Sequence, residues 1–182
     1  MSMPNRKELF QHHLSQLQQL RKGLPERFHV ALDTLIHQLP TIFDANWPLV
    51  PNHTDLLENN IHVDPATGVI KGICDWRDAE VSPFGMSLGG LETMLGVRTM
   101  NEDGWSYFPN QRELRDQFWT TFYQCLEGIS GAQQQCVKVA MLAGLFLANG
   151  FVQDEHGNMN PATEESVELR YLGVVLAQCL QS

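Results

Sequence analysis

The sequence has few basic residues for its size. Its 182 residues include 12 lysines and arginines against 21 aspartates and glutamates, which gives a formal net charge of −9 at pH 7. Nucleic acids and anionic membranes bind proteins largely through clustered positive charge. The composition therefore argues against both as the main partner, and an anionic ligand would need local basic groups or a metal ion.

Long apolar runs and cysteine motifs are also missing. The longest apolar stretch, residues 137–147, is too short for a membrane-spanning helix. The first residues form no signal-peptide pattern. None of the four cysteines lies in a Cys-x-x-Cys pair; they are Cys74, Cys125, Cys136 and Cys179. We therefore expect a cytoplasmic protein whose cysteines are reduced and mostly in the core.

Two common kinds of active site have no support in the sequence. There is no Gly-x-Ser-x-Gly motif and no cysteine beside a convincing histidine, which argues against covalent hydrolase chemistry. His12, His13 and His62 lack partners at the spacing of zinc ligands, so we predict no zinc site.

The remaining composition fits one mainly helical domain over residues 1–182. Hydrophobic residues make up 43% of the chain, which is enough for a sizeable core. Helical periodicity predicts helices over 5–22, 25–40, 86–95, 111–127 and 132–149, and a last helix that opens at Pro161 and is capped by Thr163. The helix over 132–149 is apolar on all sides, so we place it at the centre. We expect loops over 99–110 and 153–160.

A small β-hairpin is predicted between the second helix and residue 76. Two short apolar segments, 61–63 and 69–74, flank the turn Asp64-Pro65-Ala66-Thr67-Gly68. Pro65 suits the first central position of a type I turn, and Gly68 suits the left-handed residue that ends such a loop. This mainly α chain therefore contains one small β element.

The hairpin gathers polar side chains at one end. His53, Asp55 and Asn60 lie at its entrance and Asp75 lies at its exit. Phosphoryl transfer requires a carboxylate that orients the acceptor hydroxyl. It also requires oxygen ligands for Mg²⁺, which an amide and a second carboxylate can supply. The spacing thus points to a phosphoryl-transfer site.

The order of these residues resembles the aminoglycoside phosphotransferase family, which includes choline-kinase-like enzymes and is related to protein kinases. The family's catalytic loop is His-x-Asp-x-x-x-x-Asn, followed by a hairpin and Ile-Asp-Trp or a similar triplet. This sequence matches with His53, Asp55, Asn60 and the triplet Cys74-Asp75-Trp76. The continuation over residues 81–88, Val-Ser-Pro-Phe-Gly-Met-Ser-Leu, is similar to that of fungal members.

The resemblance implies a fold, a chemistry and a set of roles. The chain would be the helical C-terminal lobe of the kinase-like fold, and the activity would be ATP- and Mg²⁺-dependent phosphorylation of a small-molecule hydroxyl. Asp55 and His53 would be the catalytic residues, with His53 mainly bracing the loop. Asn60 and Asp75 would bind Mg²⁺ and, through it, the nucleotide.

The other half of the family's fold has no counterpart in this sequence. No glycine-rich loop flanked by strands and no strand lysine precedes His53. We therefore expect the N-terminal lobe to be absent. The face that this lobe would cover is then an apolar surface open to a second copy or another partner.

Each site residue also has a structural interpretation. A loop aspartate such as Asp55 often caps a turn, and Asn60 could tie the loop to itself. Glu58 and Asp78 fit ordinary surface charges better than an acidic cluster. Asp75 follows an apolar strand, where a carboxylate needs a partner or a metal.

Three functions therefore remain open. The first is a small-molecule phosphotransferase that uses ATP and Mg²⁺. The second is a non-kinase protein that binds a small molecule or performs metal-free acid/base chemistry with His53 and Asp55. The third is an interaction module, or pseudokinase, that pairs through the uncovered face.

Overall fold

The structure is a computed structural model, and it describes residues 3–99 and 105–179. Its α-helices are α1 (Arg6–Gly23), α2 (His29–Ile42), α3 (Gln111–Cys125), α4 (Gly131–Asn149) and α5 (Val167–Cys179). Short 3-10 helices occupy Glu26–Phe28, Glu58–Asn60 and Met86–Met94. The strands are β1 (Leu49–Asn52), β2 (Ile61–Val63), β3 (Ile70–Ile73), β4 (Glu80–Pro83), β5 (Gly96–Arg98), β6 (Trp105–Tyr107), β7 (Phe151–Gln153) and β8 (Met159–Pro161). The expected mainly helical class is confirmed.

Helices α1 and α2 form because their apolar residues recur at helical spacing. The Asn5 side chain accepts hydrogen bonds from the first-turn N–H groups of α1, which starts that helix. Leu17 and Leu20 of α1 are fully buried, as are Leu32 and Leu39 of α2. The two helices pack on each other through these faces.

Helix α4 lies at the centre, as its all-round apolar sequence predicts. It packs against α1, α2, α5 and the 3-10 helix Met86–Met94. Val137, Ala143 and Phe146 are wholly buried. Gly144 permits the close approach of the 3-10 helix, since a Cβ there would lie 2.0 Å from the Met86 carbonyl oxygen.

The strands form four separate antiparallel pairs, β1–β4, β2–β3, β5–β6 and β7–β8. In the first pair, Leu49 lies opposite Pro83 and Asn52 lies opposite Glu80. The β1–β4 ladder therefore holds together the two ends of the segment that carries the predicted site residues. The buried Asn52 side chain strengthens this closure, because its amide donates to the carbonyl of Ser82 at 3.0 Å and its Oδ1 accepts from Ser87.

A buried ion pair joins the 3-10 helix to α3. The guanidinium of Arg115 donates to both carboxylate oxygens of Glu92, each at 2.9 Å. The hydroxyl of Tyr107 donates to the same carboxylate at 2.7 Å. Glu92 and Arg115 are only 2% and 6% exposed, so their charged groups are hydrogen-bonded to each other rather than to water.

Several predicted elements differ in the structure. Residues 105–107 form β6 rather than loop, while residues 100–104 of that predicted loop lie outside the described residues. Pro161 ends β8, and α5 begins only at Val167, because Thr163 and Ser166 form a hydrogen-bonded turn between them. The helix predicted over 86–95 is of the 3-10 type.

Two predictions of burial are also wrong. The helical spacing of Leu114 with Phe118 and Phe122 predicts that all three lie on the core face of α3. Leu114 is nevertheless exposed, because α3 turns Arg115 inward to meet Glu92. Cys125 is exposed at the end of α3, while Cys74, Cys136 and Cys179 are only partly buried. None of the four cysteines forms a disulfide bond among the described residues. Within the described ranges, every helix is too short or too polar to span a bilayer.

Candidate functional site

The hairpin predicted from the turn residues is present. β2 pairs with β3, and Gly68 adopts a φ of +71°, the left-handed conformation that a glycine accepts without strain. The Asp64 carboxylate caps the turn by accepting from the N–H groups of Ala66 and Thr67. These local bonds set the distance between the two ends of the hairpin, where the predicted site residues lie.

His53 is buried and fully engaged by the main chain. The N–H of Asp55 donates to its Nδ1 at 3.2 Å, so Nδ1 is the unprotonated nitrogen and Nε2 carries the proton. Nε2 donates that proton to the carbonyl of Cys74 at 2.7 Å. His53 thus ties the entrance of the hairpin to its exit, and a proton-transfer role would require one of these bonds to break.

Asn60 closes the loop that carries Asp55. Its side-chain Nδ2 donates to the Asp55 carbonyl at 2.8 Å and approaches the Asp55 carboxylate at 3.3 Å. This orientation leaves Oδ1 for the other side, where the Cys74 thiol lies 3.8 Å away. The Cys74 N–H also donates to the Asn60 carbonyl. Asn60 therefore lies between Asp55 and the residue that precedes Asp75.

Asp75 has an unusual backbone. Its φ of +58° makes it the only non-glycine residue with positive φ in the described ranges. Aspartate tolerates this conformation better than most residues, yet it is uncommon outside turns and functional sites. Asp75 follows the apolar strand β3, but that strand is exposed along its whole length, so burial does not require a partner or a metal for the carboxylate. Its carboxylate is exposed and has no hydrogen-bond partner among the described residues.

The four predicted residues are therefore linked, but they differ in environment. His53 and Asn60 are buried and hydrogen-bonded, whereas Asp55 and Asp75 are exposed carboxylates. Glu58 and Asp78 are exposed as well, in keeping with surface charge. In the described part of the chain, no three His, Cys, Asp or Glu side chains are grouped so as to hold a metal by themselves.

A cleft of about 470 Å³ opens beside Asp55. One wall is the loop around His53 and Asp55, and the others come from α1, β4, the 3-10 helix Met86–Met94 and the facing ends of α4 and α5. The cleft therefore leads from a candidate catalytic carboxylate into the helical body of the protein.

Comparison with known families gives a match over residues 2–124, to the phosphotransferase enzyme family. The chain belongs to this family. The matched range covers more than half of the chain and includes His53, Asp55, Asn60 and Asp75. No curated protein matches the chain.

Membership of the phosphotransferase enzyme family agrees with the arrangement of the loop. The part of the family match before β1 forms α1 and α2, with no strand among its described residues. Helices α4 and α5, which complete the cleft, lie beyond the matched residues. The site thus combines a loop and three wall elements inside the family match with two helices beyond it.

The cleft contains polar residues that the sequence analysis missed as site residues. One face of α1 lines it with Leu9, His12, His13 and Gln16. Their i, i+3, i+4, i+7 spacing was a usable signal, because it places all four on one side of a helix. Ser82 and Tyr171 also line the cleft, and nothing local in the sequence marks them.

Proposed function

We propose that the protein is a small-molecule phosphotransferase that transfers the γ-phosphoryl group of ATP to a hydroxyl group, with Mg²⁺. The observation that carries the proposal is the bonding of Asn60 to Asp55 on one side and to Cys74, next to Asp75, on the other. Family membership supports the same reaction class. The distinct environments of the four residues suit distinct roles.

Asp55 is the group that meets the acceptor. Its carboxylate is exposed at the cleft, while its main chain is held by His53 and Asn60. In the reaction, the acceptor oxygen forms a bond to the γ-phosphorus, the bond to ADP breaks, and the Asp55 carboxylate accepts the hydroxyl proton. His53 positions this loop, since its two nitrogens are already bonded to the main chain.

Asn60 Oδ1 and the Asp75 carboxylate are suited to Mg²⁺. Both supply hard oxygen atoms, and Mg²⁺ is usually held by one or two such protein groups together with substrate phosphates and water. Such a site needs no cluster of three acidic side chains. Mg²⁺ would neutralise phosphate charge in a protein whose own net charge is −9.

The test is isothermal titration of the protein with ATP and Mg²⁺, followed by an assay for ADP release with candidate alcohols. We expect Asp75→Asn to abolish Mg²⁺-dependent nucleotide binding. Asp55→Asn should keep nucleotide binding and lower turnover by about 10²-fold or more. If MgATP gives no heat in the wild-type protein, or the same heat in Asp75→Asn, the proposal is wrong.

We also propose that the outer face of the hairpin is an interaction surface between copies of the chain. Its apolar side chains are strongly exposed: Val63 and Ile70, which lie opposite each other on β2 and β3, are 53% and 61% exposed. Exposed apolar side chains this close together commonly mark an interface. Light scattering at increasing concentration tests this, with Ile70→Lys as the disrupting variant; a wild-type monomer at all concentrations contradicts it.

A further inference from the structure

Glu92 is a buried carboxylate with three hydrogen bonds that the proposed mechanism does not use. Arg115 of α3 donates its Nε and Nη2 hydrogens to the two carboxylate oxygens, each at 2.9 Å. The hydroxyl of Tyr107 on β6 donates to Oε2 at 2.7 Å. None of these three side chains lines the cleft. We call the three residues the Glu92 network.

Net stability does not explain the Glu92 network. Moving two charges out of water costs free energy that their attraction often only balances, and well-packed apolar residues of similar volume are commonly as stable. An ion pair adds direction instead. The guanidinium of Arg115 presents two parallel N–H groups, so it holds the Glu92 carboxylate in one plane and at one place. The network therefore fixes where the 3-10 helix Met86–Met94 lies against α3 and β6.

The 3-10 helix Met86–Met94 is also in direct contact with the loop that carries Asp55. Gly90, two residues before Glu92, supplies the contact, since a Cβ there would lie 2.1 Å from the carbonyl oxygen of Leu56. Helix and loop leave no room for a methyl group between them. A displacement of the helix toward the loop therefore moves Leu56 and, with it, the preceding residue Asp55.

Helix α4 packs closely against another side of this 3-10 helix. A Cβ on Gly89 would lie 2.7 Å from the side chain of Leu145, and a Cβ on Gly144 would lie 2.0 Å from the carbonyl oxygen of Met86. Close-packed interiors pass displacements on, because they contain little free volume to absorb them. The 3-10 helix thus lies between α4 and the loop of Asp55, so the bonds made by its own side chains decide its position.

We propose that the Glu92 network positions Asp55 for catalysis, acting through the 3-10 helix and Leu56. Arg115 and Tyr107 hold Glu92 and thereby the helix, and the helix supports the loop from which the Asp55 carboxylate meets the acceptor. The three residues of the network are positioning residues, because none of them lines the cleft. The inference rests on the proposed function for the reaction that Asp55 performs, whereas the support of the loop is a property of the folded chain alone.

Amide hydrogen exchange tests the support of the loop in the full chain without nucleotide. The variant Glu92→Leu/Arg115→Met replaces the ion pair by apolar side chains and leaves no single buried charge behind. NMR follows the N–H groups of Asp55 and Leu57, which donate to His53 Nδ1 and to the Asp55 carbonyl oxygen. We expect both groups to exchange about fivefold faster than in the wild type, because a less supported loop opens more often.

Steady-state kinetics separates positioning from general destabilisation. In the double variant kcat should fall about tenfold, because a small misplacement of a reacting group is costly, while KM for MgATP stays within about threefold. Asn60 should keep its place, since its carbonyl oxygen accepts from the N–H of Cys74. The control is Leu32→Ala, which removes a fully buried side chain from α2, away from the cleft. It should lower the thermal midpoint but change neither kcat nor the exchange rates of the loop.

A second variant covers the case in which the double variant does not fold. Tyr107→Phe keeps the ion pair and removes one donor, so loop exchange should rise and kcat should fall about twofold. Unchanged loop exchange in the variants that fold overturns the inference, as does an unchanged kcat in an active enzyme or equally fast exchange in Leu32→Ala. The two proposals fail separately: a wild type that binds no MgATP removes the phosphotransferase, while faster loop exchange in the network variants still supports the positioning role.

Discussion

His53 donates from Nε2 to the carbonyl oxygen of Cys74 at 2.7 Å, across 21 residues of sequence. This bond joins the two ends of the hairpin, and its geometry depends on the neutral ring that accepts from the Asp55 N–H. Loss of either bond leaves a partly buried main-chain group without this partner. The position of Asp75 relative to Asp55 therefore depends on one imidazole.

Replacement of His53 should damage both stability and the site. His53→Phe keeps a ring against Trp76, whose centroid lies 4.9 Å away, but removes both hydrogen bonds. We expect a loss of about 1–3 kcal/mol in the free energy of unfolding, measured by urea denaturation, and weaker MgATP binding. The control is His62→Phe, on the exposed β2 strand, which should change neither quantity.

The effects of the backbone conformation of Asp75 and of its negative charge can be measured separately. Asparagine also tolerates positive φ, so Asp75→Asn should keep the wild-type stability while it removes the metal-binding charge. Asp75→Val forces a β-branched residue into the same conformation and should cost about 1–2 kcal/mol in addition. Equal unfolding free energies for the two variants would show that the residue relaxes its φ at no cost.

Gly90 sets the contact between the 3-10 helix and the loop of Asp55. A Cβ there would lie 2.1 Å from the carbonyl oxygen of Leu56, the residue after Asp55. Gly90→Ala should therefore displace the loop, cost about 1–3 kcal/mol of stability and lower phosphotransferase activity. Gly131→Ala, in open space at the start of α4, is the control and should be neutral or slightly stabilising.

Removal of only one partner of the Glu92–Arg115 pair should strongly destabilise the protein. Arg115→Met leaves a buried carboxylate without its positively charged partner, and we expect a loss of about 3–5 kcal/mol in the free energy of unfolding. The double variant Glu92→Leu/Arg115→Met should lose less than the single variant. Arg21→Met, which breaks the exposed pair with Asp33, should have a far smaller effect.

Stability should fall on mild acidification because of His13. Burial lowers the pKa of His13 below its usual 6.5, partly offset by the Leu9 carbonyl and by Glu80. The unfolded chain then binds a proton more readily than the folded one, so the stability contribution is complete above pH 6.5 and decreases as the pH falls through the lowered pKa. Urea denaturation across this window should show a shallower pH dependence for His13→Phe than for the wild type. Parallel curves for the two proteins would contradict it.

The hairpin and its site residues could be predicted because their determinants are local. Pro65 and Gly68 fix the turn by their own backbone preferences, and the turn brings together residues no more than 22 positions apart. The left-handed backbone of Asp75 could not be predicted, since only a glycine would have signalled it. The exposure of β3 could not be predicted either, because its apolar residues suggest a buried strand.

The cleft was beyond sequence reasoning for a different reason. Its walls include His13 of α1 and Tyr171 of α5, and only the packing of both helices around α4 brings these residues together.

The pairs β1–β4, β5–β6 and β7–β8 could not be predicted because strands of three or four residues are too short to show alternation. Arg115 was missed as a core residue because a buried charge is predictable only with its partner.

The exposed β2–β3 hairpin has a practical consequence for handling the protein. Val63, Val69 and Ile70 are each more than half exposed on a strand pair that joins no other strand in the described ranges. Such a strand pair exposes unpaired main-chain hydrogen-bonding groups beside apolar side chains, and this combination promotes aggregation in concentrated samples. Ile70→Thr should then slow precipitation during storage as well as weaken self-association.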